Sequence, residues 1–314
     1  MADLALLILT LFWGTTFTLV KEVLQISSPG VFLAARFGAA VLVLGLVALL
    51  RRERPGRRFL LHGSILGLCL LATFVFQTQG LRYTTPSRSA FLTGMAVLLV
   101  PFVSRFLLGR TVRAASWAGV GLAVVGLFVL TRPFSDGVSA AVRLGDALTL
   151  GCALACAFQI ALMSEWSPRH PLVSFTLLQV AVTFAGTLLL IPFEGIRFDA
   201  SRAQTFAGVV AFTGLWMTAG AFFVQNWGQR HTTAVRAALI YTLEPVAAAV
   251  FSHFYGGESL AKADLLGGGL IVLGVIAGEL GGVLERRAGP RPEKAEANRD
   301  REPRPEFPSR STVP

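Results

Sequence analysis

Long apolar runs are the feature that most constrains this chain. Between residues 3 and 284 the sequence alternates runs of about 20 mostly apolar residues, the length that a membrane-crossing helix requires, with short polar links. Hydrophobic residues make up 54% of the chain and charged residues only 15%, against roughly 25% charged residues in an average soluble domain. We therefore expect an all-α integral membrane protein and not a soluble one.

The runs are bounded by charges, Pro or Gly and predict ten transmembrane helices. The links between them are short, so neighbouring helices should be antiparallel, and no soluble catalytic domain fits between them. The predicted bounds are 3–20, 30–50, 60–80, 87–108, 114–131, 144–164, 172–192, 204–227, 234–255 and 265–284.

Basic residues favour one side of the membrane. The links after even-numbered helices hold eleven Lys and Arg residues and those after odd-numbered helices hold eight, with the cluster RRERPGRR at 51–58 as the strongest single signal. The positive-inside rule then places both termini in the cytoplasm.

Two blocks of sequence recur 148 residues further along the chain. Gln77–Ala90 aligns with Gln225–Ala238 with seven identities in fourteen positions, and Gly119–Gly126 aligns with Gly267–Gly274 in the same register. Each copy holds five predicted helices, so the second copy should enter the bilayer from the opposite side. Inverted repeats of this kind form many secondary transporters, in which substrate binds near the midplane between the copies.

The repeat predicts the domain organisation. A first five-helix repeat should span 1–131, a connecting loop 132–143 and a second repeat 144–284. The segment 285–314 is rich in Pro, Arg and Glu and is predicted to be a disordered cytoplasmic tail. Its acidic and basic residues interleave, so we expect no nucleic-acid partner.

Ionisable groups inside the apolar runs are the strongest functional candidates, because burying them in lipid costs about 3 kcal/mol on insertion scales. Glu244 lies about ten residues into the ninth helix and is followed by Pro245, which removes a backbone donor and frees a carbonyl group. The pair predicts an irregular, polar point near the midplane. Glu244 could carry a proton, neutralise a substrate amine, or pair with another helix for packing.

Other polar groups and aromatic rings complete the candidate site. Arg36 is either a static anchor whose head reaches the interface or the partner of a buried carboxylate. Gln77 and Gln225 occupy equivalent repeat positions and either bind polar substrate groups or cross-link helices. The aromatic candidates for a cavity wall are Trp13, Trp216 and Tyr241.

Several other classes of site are not indicated. Cys69, Cys152 and Cys156 lie in apolar runs without metal-ligand spacing, so we expect neither a disulfide framework nor a metal or cofactor site. The recurring glycines match no phosphate-binding loop and are explained by close helix packing. The absence of HExxH, GxSxG and a facing Asp pair argues against an intramembrane enzyme.

Short motifs resemble those of a known family. They are Trp-Gly-Thr beginning at Trp13, Lys21, Arg36 within AARF, Leu-Glu-Pro at 243–245, and glycine-rich fifth and tenth helices. Together with the repeat, they resemble the EamA-type permeases of the drug/metabolite transporter superfamily. The similarity covers both halves and leaves the tail outside.

The resemblance implies a bacterial inner-membrane exporter of small metabolites, amino acids among them, with a central cavity between the halves. An importer or exchanger of nucleotide-linked or cofactor-like cargo is the alternative. Protons are the hypothesised coupling ion, the lipid bilayer is the surrounding partner, and the oligomeric state stays open between monomer and homodimer. Leu178-Gln179 stands where Arg36 would recur, and Cys156 corresponds to Trp13, so the halves differ at the site.

Overall fold

The computed structural model describes residues 1–51, 53, 55–112, 114–131, 139–256 and 262–287. Within these ranges the regular elements are helical, and one isolated bridge joins Ser27 and Phe198. The α-helices are α1 (Ala2–Val23), α2 (Pro29–Arg51), α3 (Phe59–Tyr83), α4 (Pro86–Gly94), α5 (Ala96–Phe102), α6 (Ala114–Thr131), α7 (Ala140–Trp166), α8 (Leu172–Glu194), α9 (Ala203–Ala211), α10 (Ala221–Gln229), α11 (Ala234–Tyr241), α12 (Glu244–Gly256) and α13 (Lys262–Arg287). The all-α prediction is confirmed.

Among the described residues, eight helical stretches are long and apolar enough to cross a membrane, so the chain is a multi-pass membrane protein. They coincide with the predicted helices one to four and six to nine. Four of these spans are composite. α4 and α5 continue into the π-helical segment Val103–Leu107, and α7 continues into the 3₁₀ turn Ser167–Arg169. Phe212–Gly220 joins α9 to α10, and α11 is followed by α12. The predicted fifth and tenth helices fall on α6 and α13, whose apolar stretches are shorter (Ser116–Val129 and Leu265–Gly278).

Several predicted boundaries differ from the structure by up to four residues. Helix α7 begins at Ala140, four residues before its predicted start, because Ser139 caps it by accepting a hydrogen bond from the Val142 backbone N–H at 3.3 Å. Helix α13 extends to Arg287, into the segment predicted as tail. Residues 132–138 of the predicted loop and residues 288–314 of the predicted tail lie outside the described residues.

The two ends of the helix bundle can be defined by the direction of helix α1. Its 22 residues span roughly 33 Å at the usual helical rise. Near its last turn, Lys21 Nζ donates hydrogen bonds to the carbonyl oxygens of Leu81 at 2.6 Å and Thr84 at 2.9 Å, beside the end of α3. We call the end where α1 begins the amino-terminal end and the end marked by Lys21 the far end.

The recurring sequence blocks fold alike locally. The chain breaks between α4 and α5 after Gly94, and it breaks again between α11 and α12 after Tyr241. At the start of α4, Thr85 accepts a hydrogen bond from the backbone N–H of residue 88, and at the start of α11 Thr233 does the same for residue 236, each at 3.3 Å. The fourth and ninth spans are therefore both interrupted near their middle.

Glycines allow α6 and α13 to pack backbone against backbone. A Cβ atom added at Gly119 would lie 2.7 Å from the carbonyl oxygen of Gly274, and one added at Gly126 would lie 2.7 Å from that of Gly267. Small residues let helices approach closely where lipid supplies no hydrophobic driving force. The predicted close packing of the glycine-rich helices is confirmed at these positions.

This interface yields a stability prediction. Gly126→Ala should destabilise the fold by about 1–3 kcal/mol, the usual cost of overpacking, because its Cβ would meet the Gly267 oxygen at 2.7 Å. Gly121→Ala is the matched control, since nothing lies within 4 Å of an added Cβ on the same helix. Thermal unfolding of the purified protein in detergent measures both, and equal melting temperatures would contradict the proposed backbone contact.

Candidate functional site

A central cavity of about 70 Å³ lies between elements of both halves. Helix α1 contributes Trp13, which stands near the middle of that helix, so the cavity lies deep within the bundle. Six of the seven residues that the sequence predicted for the site line it: Trp13, Arg36, Gln77, Gln225, Tyr241 and Glu244.

Glu244 lies at the break in the ninth span. It is the first residue of α12, three positions after the end of α11, so the irregular backbone predicted around Pro245 is confirmed. Within the described ranges no group donates a hydrogen bond to its carboxylate, which borders the cavity. Close approach of α1 fixes this corner, because a Cβ at Gly14 would lie 2.7 Å from the Glu244 carbonyl oxygen.

Arg36 is held inside the bundle. Its side chain is 3% exposed, and its Nε donates to Thr218 Oγ1 at 2.8 Å and one Nη to the Met217 carbonyl oxygen at 3.3 Å. The guanidinium carbon stands 4.6 Å from the centre of the Phe74 ring, a cation–π distance. Neither sequence-based interpretation holds, because the side chain does not reach the interface and no carboxylate of the described residues pairs with it.

Aromatic rings form one wall of the cavity. The Trp13 ring lies 5.7 Å from Tyr241 and 5.8 Å from Phe222, centre to centre, and its Nε1 donates to the Met217 carbonyl oxygen at 3.4 Å. Tilted aromatic pairs at this separation add to the packing energy of the rings. The predicted aromatic surface is therefore present for Trp13 and Tyr241.

The two repeat-equivalent amides both face the cavity and both bridge helices. Gln77 Nε2 donates to Thr93 Oγ1 at 3.5 Å, and Gln225 Nε2 donates to Gln159 Oε1 at 3.4 Å. Gln225 and the Tyr241 hydroxyl lie close enough to interact with each other, and both residues border the cavity. Together they form a polar part of its wall.

Trp216 does not line the cavity. Its side chain is 68% exposed on the outside of the bundle, whereas its neighbours Thr213 and Met217 are buried. The prediction that it belongs to the cavity wall is wrong, because depth in the membrane does not determine which face of a helix a residue occupies. The π-helical segment Phe212–Gly220 also changes the number of residues per turn, which displaces the buried face from a 3.6-residue pattern.

Gln159 is a cavity residue that the sequence analysis missed. It is 1% exposed, lies in the second half of α7 and accepts a hydrogen bond from the amide of Gln225. The criterion that selected Gln77, an amide within an apolar run, also applies to it and would have found it.

Two ion pairs near the ends of the bundle were also missed. At the far end, Arg88 binds Asp146 with both Nε and Nη, the shortest distance being 2.6 Å, and the side chains are 18% and 16% exposed. At the amino-terminal end, Arg236 meets Asp3 at 3.1 Å, with side chains 27% and 39% exposed. Each pair joins the first span of one half to the fourth span of the other.

The site offers no metal centre among the residues that the structure describes. No group of three His, Cys, Asp or Glu side chains could hold an ion there. Cys69, Cys152 and Cys156 are free thiols. The described residues that line the cavity supply one guanidinium, one carboxylate, amides, hydroxyls, a thiol and aromatic rings.

The different placements of two tryptophans yield a testable prediction. Trp13→Ala should destabilise the fold by about 3 kcal/mol, the lower part of the range for deleting a packed large aromatic side chain, because it removes the contacts to Tyr241 and Phe222. Trp216→Ala is the matched control and should be near neutral, since that ring faces outward. Thermal unfolding in detergent decides, and a larger loss for Trp216→Ala would refute the assigned placements.

Comparisons with known proteins agree with this architecture. The profile of the EamA-like transporter family matches residues 1–132 and 143–277. An uncharacterized transporter of Archaeoglobus fulgidus is 34% identical over 278 residues, which are 88% of this chain and 84% of that protein. The uncharacterized inner membrane transporter YedA of Escherichia coli is 26% identical over 287 residues, covering 88% of this chain and 90% of YedA.

A solved crystal structure gives a TM-score of 0.73 at 22% identity and covers 92% of this chain and 98% of the other. At that identity the likeness shows the fold alone. The family profile and the archaeal relative extend over most of the chain and carry the assignment. The chain belongs to the EamA-like transporter family.

Proposed function

We propose that the protein is a secondary active transporter that exports small metabolites, such as amino acids or related amphipathic compounds, by alternating access. The observation that carries this proposal is the central cavity, which places one guanidinium and one carboxylate beside aromatic rings. A zwitterion suits this lining, because Arg36 can attract its carboxylate, Glu244 its ammonium group and Trp13 its apolar part. Bacterial inner-membrane location is supported by the relative YedA.

Import or exchange of nucleotide-linked cargo fits the cavity less well. Such cargo carries several negative charges, and Arg36 is the one basic side chain among the described residues that line the cavity. Glu244 would repel a polyanion at the same place. The volume of about 70 Å³ is also small for either cargo, so we infer that the cavity is contracted in this conformation and widens when cargo binds.

We further propose that the two halves form an inverted repeat of five spans each. Arg88 and Arg236 lie 148 residues apart, and Asp3 and Asp146 lie 143 residues apart, the same separation as Trp13 and Cys156. The two ion pairs thus use corresponding positions near opposite ends of the bundle. This arrangement supports a pair of gates, of which the far-end gate is the more firmly closed here.

Glu244 provides the test of export and of proton coupling. Glu244→Gln should abolish proton-driven uptake of labelled amino acids into proteoliposomes, because the amide can neither carry a proton nor neutralise an amine. Cells that overproduce the native protein should also enrich at least one metabolite in the medium, and cells with the variant should not. Glu22→Gln is the matched control, since Glu22 lies near the far end of α1, outside the cavity lining.

A transport rate that does not depend on pH and is unchanged in Glu244→Gln would rule out the proton hypothesis. Identical media from cells with native protein and with Glu244→Gln would count against export through this cavity. Equal losses in Glu22→Gln and Glu244→Gln would show a general effect on folding and would remove the specific role of Glu244.

Removing the ion pair at one end or at the other should change access to the central cavity in opposite directions. Thr16 lines the central cavity. In a variant without native cysteines, Thr16→Cys therefore reports whether a membrane-impermeant maleimide added at the far side can reach the cavity. Asp146→Asn should raise the labelling rate of this cysteine about fivefold, because losing a partly exposed ion pair shifts a two-state equilibrium by about 1 kcal/mol, here toward the state that is open at the far side. Asp3→Asn should lower the rate, because it favours the state that is open at the amino-terminal end. Equal changes in both variants would contradict reciprocal gates.

A further inference from the structure

A second cavity, of about 370 Å³, lies at the amino-terminal end of the bundle. We call it the vestibule; it is bounded by the end of the fourth span at Ser104–Val112, the end of α7 at Ala161–Glu165, and the start of the ninth span at Thr232–Leu239. Its volume falls in the range of small-molecule sites, about 300–1,000 Å³. It shares no lining residue with the central cavity among the described residues.

Two hydroxyl groups that border the vestibule lack a partner. Ser104 is 4% exposed, and its Oγ makes no hydrogen bond among the described residues; the same is true of the buried Thr232 Oγ1. The large majority of buried polar side-chain atoms in native structures are hydrogen-bonded to protein or to ordered water. Two such groups at one cavity can therefore form hydrogen bonds to a polar ligand that displaces water.

The start of α11 makes the vestibule attractive to an anion. Ala234 and Val235, its first two residues, line the cavity, and N–H groups in the first turn of a helix have no acceptor within that helix. The positive end of the helix dipole favours negative charge at this point. Arg110 and Arg236 also line the vestibule, paired with Glu165 and Asp3 respectively.

One apolar layer separates the vestibule from the central cavity. On α7, Ile160 borders the central cavity and Ala161 borders the vestibule. On the ninth span, Ala238 borders the central cavity and Leu239 borders the vestibule. All four residues are buried. The two cavities therefore adjoin each other along α7 and α11.

We propose that the vestibule is a binding site for the carboxylate group of the cargo, which docks against the start of α11 and the hydroxyls of Ser104 and Thr232 before it enters the central cavity. This inference rests on the proposed function, and it names a carboxylate as the part of the cargo that the amino-terminal end recognises.

The test uses a local readout that does not depend on transport. In the purified full-length protein without native cysteines, Thr111→Cys places a thiol at the exposed edge of the vestibule. L-leucine and L-phenylalanine should slow its reaction with a maleimide, whereas L-leucinamide and L-phenylalaninamide should not. Ala200→Cys, exposed at the far end, is the control thiol and should show no protection by any probe.

The orphaned hydroxyls supply matched variants. Ser104→Ala and Thr232→Val, each combined with Thr111→Cys, should weaken protection by L-leucine about tenfold, the effect of losing one hydrogen bond to a charged group. Ser89→Ala is the control, because Ser89 Oγ is also buried without a partner among the described residues but lies outside the vestibule lining. Thermal unfolding of each variant confirms that it is folded.

Three outcomes overturn the inference: no protection by any amino acid, equal protection by the amides, or equal loss in Ser89→Ala and Ser104→Ala. Protection by phosphatidylglycerol nanodiscs alone, and not by phosphatidylcholine nanodiscs, would assign the vestibule to a lipid headgroup and also overturn it. Failure of the proposed function is separately visible, because Glu244→Gln should abolish transport and leave the vestibule protection intact.

Discussion

Hydrocarbon offers no hydrogen bond to a polar group, and this constraint explains where the polar side chains of the chain lie. Each buried donor or acceptor must find its partner within the protein or face an internal cavity. Arg36 obeys the rule by bonding Thr218 and the Met217 carbonyl group. Glu244 obeys it by lying at a break in its span, beside the cavity. Polar groups therefore converge on the interior because the membrane excludes them elsewhere.

The duplicated scaffold places corresponding positions around one cavity and gives them different chemistry. Glu244 corresponds to Ala96 at the 148-residue separation, and Tyr241 corresponds to Thr93; all four line the central cavity. If the two halves were identical at these positions, the cavity would hold two carboxylates that repel each other. Divergence at these positions instead leaves one carboxylate, which supports selection of a compound that is itself asymmetric.

The sequence was sufficient to predict where the spans lie and how deep the candidate residues sit in them. Apolar runs of fixed length and the polar residues that interrupt them are local signals. It identified Gln77 and Gln225 through the repeat, and the structure places both at the cavity. It was insufficient for Trp216, since a residue surrounded by apolar neighbours on all sides carries no signal for the face it occupies. The Arg88–Asp146 pair joins residues 58 positions apart, and no local pattern relates them.

The proposed alternating-access cycle requires contacts that break easily at the two ends of the bundle and helix pairs that stay packed. A partly exposed ion pair contributes about 0–1 kcal/mol, so the Asp3–Arg236 contact can break at little cost, and cargo with a modest preference for one state can shift the equilibrium. The packing of α6 against α13 is costlier to disturb, because its glycine backbones already touch. Motion is thus expected where the halves meet through ion pairs, while the glycine-packed pair α6 and α13 is expected to move as one unit.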